Sequence, residues 1–352
     1  WDSSHEIMAT VHFDPDGVGV DNGNYFSMPF SPEEAALVLL SAPWDVTASY
    51  GAGTAYAPDA IIGASIQLDF YDAAAPDAWR QGIATAPVDY SIQELSQKLR
   101  HDARRVIEHL EGGGRTTDDY VVRKIRRVNE GSFELNRNIR EQAEQWLDAG
   151  KLVGLVGGDH STPYGLIRAL GKHHEKFGIL QIDAHCDLRK SYEGFEFSHA
   201  SIMYNVLHDV QQVERITQVA IRDFSRAEKQ LAEESGRIVQ FEDQQLMEAE
   251  FAGKKWDEVC REIIATLPEK VYVSFDIDGL DLAYCPHTGT PVPGGLSFNK
   301  AARLLQLLGE ERRIIGFDVV EVCPHESDRI DASVGARILW KLCGQTLRSN
   351  QH

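Results

Sequence analysis

No run of 18 apolar residues occurs in this 352-residue chain, which argues against a membrane-spanning helix. The first residues, WDSSHEIMATVHFDPDG, have neither a basic start nor an apolar stretch, so no secretory signal is legible and a soluble, cytoplasmic protein is expected. Positive charge is scarce: 35 Lys+Arg against 54 Asp+Glu leave −19 at pH 7. That balance disfavours a nucleic-acid backbone or an anionic membrane as partner and suits a cationic ligand. The five cysteines, Cys186, Cys260, Cys285, Cys323 and Cys343, show no CxxC spacing, and an odd number cannot all pair within one chain. They read as reduced thiols. Phosphate-loop signatures are missing too: no GKS and no GxGxxG follows a strand, and Gly112-Gly113-Gly114 between Glu111 and Arg115 reads as the end of a helix.

What is present is 43% hydrophobic content, enough to fill a sizeable core. Residues 1–35 are rich in Gly, Asp, Asn and Pro and show no periodicity, so they read as an N-terminal extension that wraps a surface or reaches a neighbouring subunit. From residue 36 to 352 one domain is expected, since no linker, repeat or low-complexity block divides it. Short apolar runs at 36–42, 151–158, 177–183, 214–221, 237–241, 270–278 and 312–320 read as buried strands. Amphipathic stretches at 91–112, 132–150, 161–174, 254–268, 297–310 and 333–343 read as helices. This alternation predicts an α/β fold, a mostly parallel sheet between two helical layers, with ligands at the carboxyl ends of the strands.

Three strands run into residues that ligate metals: Gly157-Gly158-Asp159-His160-Ser161, Asp183-Ala184-His185-Cys186-Asp187 and Ser274-Phe275-Asp276-Ile277-Asp278. In an extended segment side chains alternate, so Asp183, His185 and Asp187 point to one side, as do Asp276 and Asp278. Four carboxylates gathered on a buried face repel one another strongly unless cations neutralise them. Two divalent ions held by His160, Asp183, His185, Asp187, Asp276 and Asp278 do so if one or two carboxylates bridge. Oxygen-dominated ligation with two imidazoles suits manganese better than zinc, with nickel as the alternative.

These motifs resemble those of the ureohydrolases, the arginase and agmatinase family that hydrolyses guanidino groups. GGDHS at 157–161, DAHCD at 183–187 and SFDIDGLD at 274–281 match its metal motifs in order, and TGTPVPGG at 288–295 and VEVCP at 320–324 match the segments that follow. The resemblance, from about residue 36 to 345, implies an arginase-like three-layer α/β/α fold, a binuclear manganese centre and a trimer or hexamer. It carries over the six ligands named above. It also places Asp187 as a bridging ligand that steers the nucleophile, Glu321 as the carboxylate that binds the guanidinium, and His199 as the histidine that shuttles a proton. A guanidinium carbon is a poor electrophile, so the expected reaction is attack by a metal-bridging hydroxide, with release of urea and an amine.

The substrate reads as a small cationic guanidino compound. Arginases hold the amino-acid end of arginine with an Asn/Thr loop after DxHxD, where this chain has Leu188-Arg189-Lys190-Ser191, and with a second aspartate where it has Ser225. Arginine is therefore disfavoured. The stretch with Tyr192, Glu193 and Gly194 ahead of Ser198-His199-Ala200 resembles agmatinases, and those three residues with His287, Glu321 and His199 are the expected substrate contacts. Ala200 in place of glycine, His287 in place of a small residue, and the NYFSMPF opening resemble a subgroup that includes hydrolases of free guanidine, some of which prefer nickel. Tyr25, Phe26, Trp44, Tyr192 and Phe195 are candidates for an aromatic lid over the cation. Free guanidine, agmatine or another short-chain guanidine is the expected substrate. Two other readings stand beside it: a metal-dependent deacetylase on the same architecture, for which His173-His174 is the available histidine pair, and a partner subunit of a mixed oligomer.

Overall fold

The computed structural model describes residues 13–49 and 53–351. Among them, eight strands form one sheet: β1 (Leu37–Ala42), β2 (Ile83–Thr85), β3 (Leu152–Gly157), β4 (Phe177–Ile182), β5 (Val213–Val219), β6 (Ile238–Phe241), β7 (Lys270–Asp276) and β8 (Arg313–Val320). The order across the sheet is β2-β1-β3-β8-β7-β4-β5-β6, and every neighbouring pair is parallel. Runs such as LVGLVG and FGILQI are almost continuously apolar because helices cover both faces of the strands they form.

Successive residues serve opposite faces. Leu37, Leu39, Val273 and Phe317 pack toward α9 (Phe298–Glu311) and α10 (Ile330–Ser349), in a core that also takes in α1 (Ala57–Ser65) and α8 (Trp256–Ala265). Val38, Leu40, Val153 and Ile179 pack toward α2 (Tyr90–Glu111), α3 (Asp119–Asp148), α4 (Tyr164–His173) and α5 (Ile202–Asp209). The result is the expected three-layer arrangement. No helix among the described residues is long and apolar enough to cross a membrane.

The sequence reading missed β2, α1, α5, α6 (Arg226–Ser235), α7 (Asp243–Phe251) and the first 13 residues of α3. The missed helices have eight to ten residues, a length at which tertiary packing rather than periodicity supplies the stability. In α3, Gly131 reads as a breaker, but a Cβ there would lie 2.0 Å from Leu99 Cδ1. The glycine is where α2 and α3 touch, and the helix continues through it.

Residues 1–12 of the expected extension lie outside the described residues. Beyond them, Phe13 stacks on Phe70 at 5.9 Å, and Tyr25, Phe26 and Met28 are buried in the same core as β1.

β3 and β4 follow one another in sequence, yet β8 and β7 lie between them in the sheet. The winding reverses there, and such a switch point opens a crevice at the carboxyl ends of the strands. The four central strands β3, β8, β7 and β4 deliver His160, Glu321, Asp276 and Asp183 to it.

Candidate active site

The turn after β3 depends on a close backbone approach. A Cβ on Gly158 would sit 1.9 Å from the Trp44 carbonyl oxygen, and that same oxygen accepts a hydrogen bond from Asp159 N at 2.9 Å. Only glycine lets the chain pass so near and turn His160 into the crevice. His160 Nε2 lies 2.7 Å from Ser274 Oγ, which directs Nδ1 at the carboxylates. Nδ1 is 2.7 Å from Asp187 Oδ2, 3.0 Å from Asp183 Oδ2 and 3.4 Å from Asp276 Oδ2. Despite these separations, neither Nδ1 nor Asp187 Oδ2 has a well-formed hydrogen bond. Buried polar atoms left in this state point to a missing partner.

The six expected ligands fall into two groups. His160, Asp183, Asp187 and Asp276 form one, all buried; Asp183, His185 and Asp278 form the other; within each, the ligand atoms lie within 4.8 Å of one another. Asp183 belongs to both. Its Oδ1 is 3.6 Å from His185 Nδ1, which is 3.0 Å from Asp278 Oδ2. Buried acidic oxygens and imidazole nitrogens of this number fit two divalent cations that share a carboxylate.

Two details depart from the sequence reading. The clusters are not extended: the chain leaves β4 at Ile182, Asp187 has φ 54°, and Asp278 lies in a 3₁₀ turn, Ile277–Gly279, whose entry is capped by Asp276 Oδ1 at 2.9 Å. Asp276 and Asp278 therefore serve different groups instead of pointing to one side. The shared carboxylate is Asp183, whereas Asp187, read as bridging, sits in one group only.

The electrostatics match a site built for cations. Burial and the nearby Asp183 push Asp276 and Asp187 well above the ordinary carboxylate range. Burial opposes charge on His160, yet Asp187 and its fellow carboxylates raise it well above an ordinary histidine, and Asp278 and Asp183 bring His185 up to about 12 against the same burial. Glu321 is raised well above its usual value by burial first and by Asp159 and Asp278 next. Its Oε1 accepts a hydrogen bond from His160 N at 2.8 Å, and its φ is 66°. Left-handed backbone costs a non-glycine residue roughly 1–2 kcal/mol, and here both Asp187 and Glu321 adopt it. Strain collected at two neighbouring groups of one crevice is characteristic of functional positions.

A cavity of about 290 Å³ opens over these groups, lined in part by His160, His185, Asp187, Tyr192, His199, Asp276, Asp278 and Glu321. That volume is near the low end for small-molecule sites. The half-buried His199 is held by its backbone N–H, which donates to Thr47 Oγ1 at 3.1 Å, and its pKa is brought down to about 4, chiefly by burial and then by His185 and His160. Arg189, Asp223, Ser225, Glu228 and Thr290 also line the cavity. Ser225 and Glu228 form the capping box of α6, so the serine where arginases carry an aspartate is occupied in starting a helix.

Several expected contacts lie elsewhere. Tyr25, Phe26, Trp44 and Phe195 are at most 1% exposed and belong to the core, so no lid is built from them; of the five aromatics only Tyr192 lines the cavity. Glu193, Gly194 and His287 are outside its lining. Gly194 packs against Ile125 of α3. His287 Nδ1 donates to the buried Asp331 Oδ2 at 2.7 Å, and its neighbour Thr288 donates through Oγ1 to the carbonyl of Glu321 at 2.8 Å. The rings of His287 and His325 stack at 3.9 Å, 9° from parallel, so although Asp328 completes a third group of ligand types, the in-plane lone pairs run side by side and do not converge on one ion. His173 pairs with Asp148 at 2.9 Å, and His173 and His174 line a separate hollow with Lys270, at the amino end of β7. The histidine pair a deacetylase needs is not at this site.

Buried carboxylates and imidazoles in two linked groups, at the switch point of a parallel sheet, are the side-chain types that can hold divalent cations for hydrolytic chemistry. The family model of the arginase family matches residues 35–344. An N(1)-aminopropylagmatine ureohydrolase of Thermus thermophilus is 30% identical over 293 residues, 83% of this chain and 84% of that one. An agmatinase of Pyrococcus horikoshii is 27% identical over 316 residues, 90% of this chain and 94% of its own. The crystal structure of the agmatine ureohydrolase of Thermoplasma volcanium superposes with a TM-score of 0.69 at 25% identity, covering 92% of this chain and 94% of the other. The chain belongs to the arginase family and is, like these relatives, a hydrolase of carbon–nitrogen bonds in linear amidines.

Proposed function

We propose that this chain holds two divalent cations, manganese or nickel, and hydrolyses a small guanidino compound to urea and an amine, or to urea and ammonia from free guanidine. One observation carries the reading: Asp183 joins two ligand groups whose other members, His160, Asp187, Asp276, His185 and Asp278, line one cavity together with Glu321. His160, Asp183, Asp187 and Asp276 hold one ion, and Asp183, His185 and Asp278 the other. When bound, the ions supply Lewis acidity that makes water a nucleophile near neutral pH. Glu321 binds and orients the guanidinium opposite them. Asp187 accepts a hydrogen bond from the attacking water, and His199, neutral at pH 7, carries its proton to the leaving nitrogen.

The small cavity and the Ser225 cap favour guanidine, agmatine or another short guanidine over arginine. Names of relatives, agmatinase and aminopropylagmatine ureohydrolase, support the same class. A trimer or hexamer of one chain, working in the cytoplasm with its thiols reduced, completes the proposal.

The test is urea release by protein loaded separately with manganese and nickel, across guanidine, agmatine, guanidinobutyrate, guanidinopropionate and arginine, with metal content measured on the same sample. Urea from a short guanidine but little from arginine is expected. Two ions bound with no urea from any substrate would overturn the reading in favour of a partner subunit. His287 gives a second check, because its tie to Asp331 leads through Thr288 to Glu321. His287→Ala should lower kcat/KM about tenfold, the loss of one buried hydrogen bond to a charged group. His287→Asn, which puts an amide nitrogen where Nδ1 stood, should not; an equal loss in both would assign the ring a contact with substrate.

A further inference from the structure

Gln181, Gln218 and Gln240 stand side by side on β4, β5 and β6, paired by register as Gln181↔Gln218 and Gln218↔Gln240. The first two are fully buried and the third is half-buried. Gln181 Nε2 donates to Asp183 Oδ2 at 3.0 Å and to the His185 carbonyl at 3.2 Å. Both partners only accept, so the amide nitrogen must face them and Oε1 must face away. That oxygen accepts from Gln218 Nε2 at 2.8 Å, whose other hydrogen goes to the Cys186 carbonyl at 2.7 Å. Gln218 Oε1 in turn accepts from Gln240 Nε2 at 2.9 Å, which also lies 3.4 Å from Cys186 Sγ. The ladder thus has one polarity, set at its inner end by Asp183, and both hydrogens of each amide are used. Three aligned amides inside a sheet are costly unless every donor is matched, and here each is matched by the loop 183–187 or by the next rung.

We propose that this ladder positions the shared ligand Asp183 and its loop, with Gln218 as the central positioning residue. The proposal rests on the reading of Asp183 as a metal ligand. Its consequence is directional. In Gln218→Glu, a side chain of nearly the same shape loses at least one of the two hydrogens that the amide gives to Gln181 Oε1 and the Cys186 carbonyl, and both when ionised. Gln181 then turns its nitrogen toward residue 218 and its oxygen toward Asp183, so that two acceptors face each other at the metal site. In Gln218→Met the rung is cut, but Gln181 keeps both of its bonds to the loop.

The experiment is calorimetric titration of manganese into metal-free wild type, Gln218→Glu, Gln218→Met and Gln240→Glu, with thermal unfolding and hydrogen exchange of segment 183–188 on the same metal-free samples. Gln218→Glu should weaken manganese binding about 10- to 100-fold, the usual effect of losing a partner that orients a ligand, and should speed exchange in the loop. Gln218→Met should stay near wild type in affinity even where its melting temperature falls. Gln240→Glu, at the half-buried end, should shift affinity in the same direction as Gln218→Glu by a smaller factor. In a Gln181→Met background Gln218→Glu should cost less than it does alone, since its route to Asp183 is gone and only its tie to the Cys186 carbonyl remains. Equal affinity in wild type and Gln218→Glu would overturn the ladder's role. So would equal weakening in the Glu and Met variants in step with their melting temperatures, which is the mark of packing alone. Absence of both manganese and nickel binding by wild type would instead remove the metal reading, and the exchange rates then decide the ladder: unchanged exchange at 183–188 in Gln218→Glu overturns it.

Discussion

Asp183→Ala abolishes manganese binding and urea release together. Asp183 is the carboxylate that both ligand groups contain, with Oδ2 3.0 Å from His160 Nδ1 and Oδ1 3.6 Å from His185 Nδ1. With two cations bound as proposed, its removal would leave each short of a ligand and the two without a link. The Lewis acidity of bound metal contributes several kcal/mol of transition-state stabilisation, so turnover should fall by at least about 10³-fold. Asp276→Ala should do the same to metal and turnover while giving a second signature. Because burial, Asp183 and Asp278 disfavour charge on Asp276, the metal-free variant should be at least as stable as metal-free wild type. Added manganese should raise the melting temperature of wild type alone, since a ligand stabilises only the fold that binds it. Metal content by atomic emission, urea release and thermal scans with and without manganese check all three. Surviving activity in either variant would sink the two-ion model.

The residues of ligand type were legible and their geometry was not, for a physical reason. GGDHS, DAHCD and SFDID each place ligand types where a strand of a parallel sheet ends, and the apolar runs that announce those strands are strong because both faces of the sheet are covered. Whether Asp276 and Asp278 serve one ion or two depends on a 3₁₀ turn, and the sequence hint of it is Gly279, where a Cβ would meet Asp183 N at 2.7 Å. Ser225-Arg226-Ala227-Glu228 did carry a capping-box signal for α6 that was readable in advance. The aromatic lid failed because composition cannot distinguish a core ring from a pocket ring: Tyr25 reaches Ser41 Oγ at 2.8 Å inside the core, and Phe26 packs edge-on against Trp340 at 4.7 Å. The glutamine ladder had no local signal at all. It exists only once β4, β5 and β6 are in register, and register is a property of the sheet.

Glu321→Gln separates substrate binding from metal binding. Glutamine keeps the acceptor that His160 N uses at 2.8 Å, and the backbone ties of residue 321, its N–H to the Gly158 carbonyl at 2.8 Å and its carbonyl to Thr288 Oγ1 at 2.8 Å, do not involve the side chain. The strained φ of 66° should therefore persist, and both ions should remain bound. What disappears is the buried carboxylate proposed to take up negative charge opposite a cationic substrate. Breaking one side of such a pair costs about 3–5 kcal/mol, so kcat/KM should fall roughly 10²- to 5 × 10³-fold. If the carboxylate holds substrate and transition state alike, the loss should appear as a raised KM with kcat little changed; if it aligns the carbon for attack, kcat should fall with it. Steady-state kinetics with metal content measured on the same preparation tell these apart. Two ions retained with unchanged kcat/KM would take the guanidinium away from Glu321 and leave Asp223, at the exposed rim of the cavity, as the carboxylate to test next.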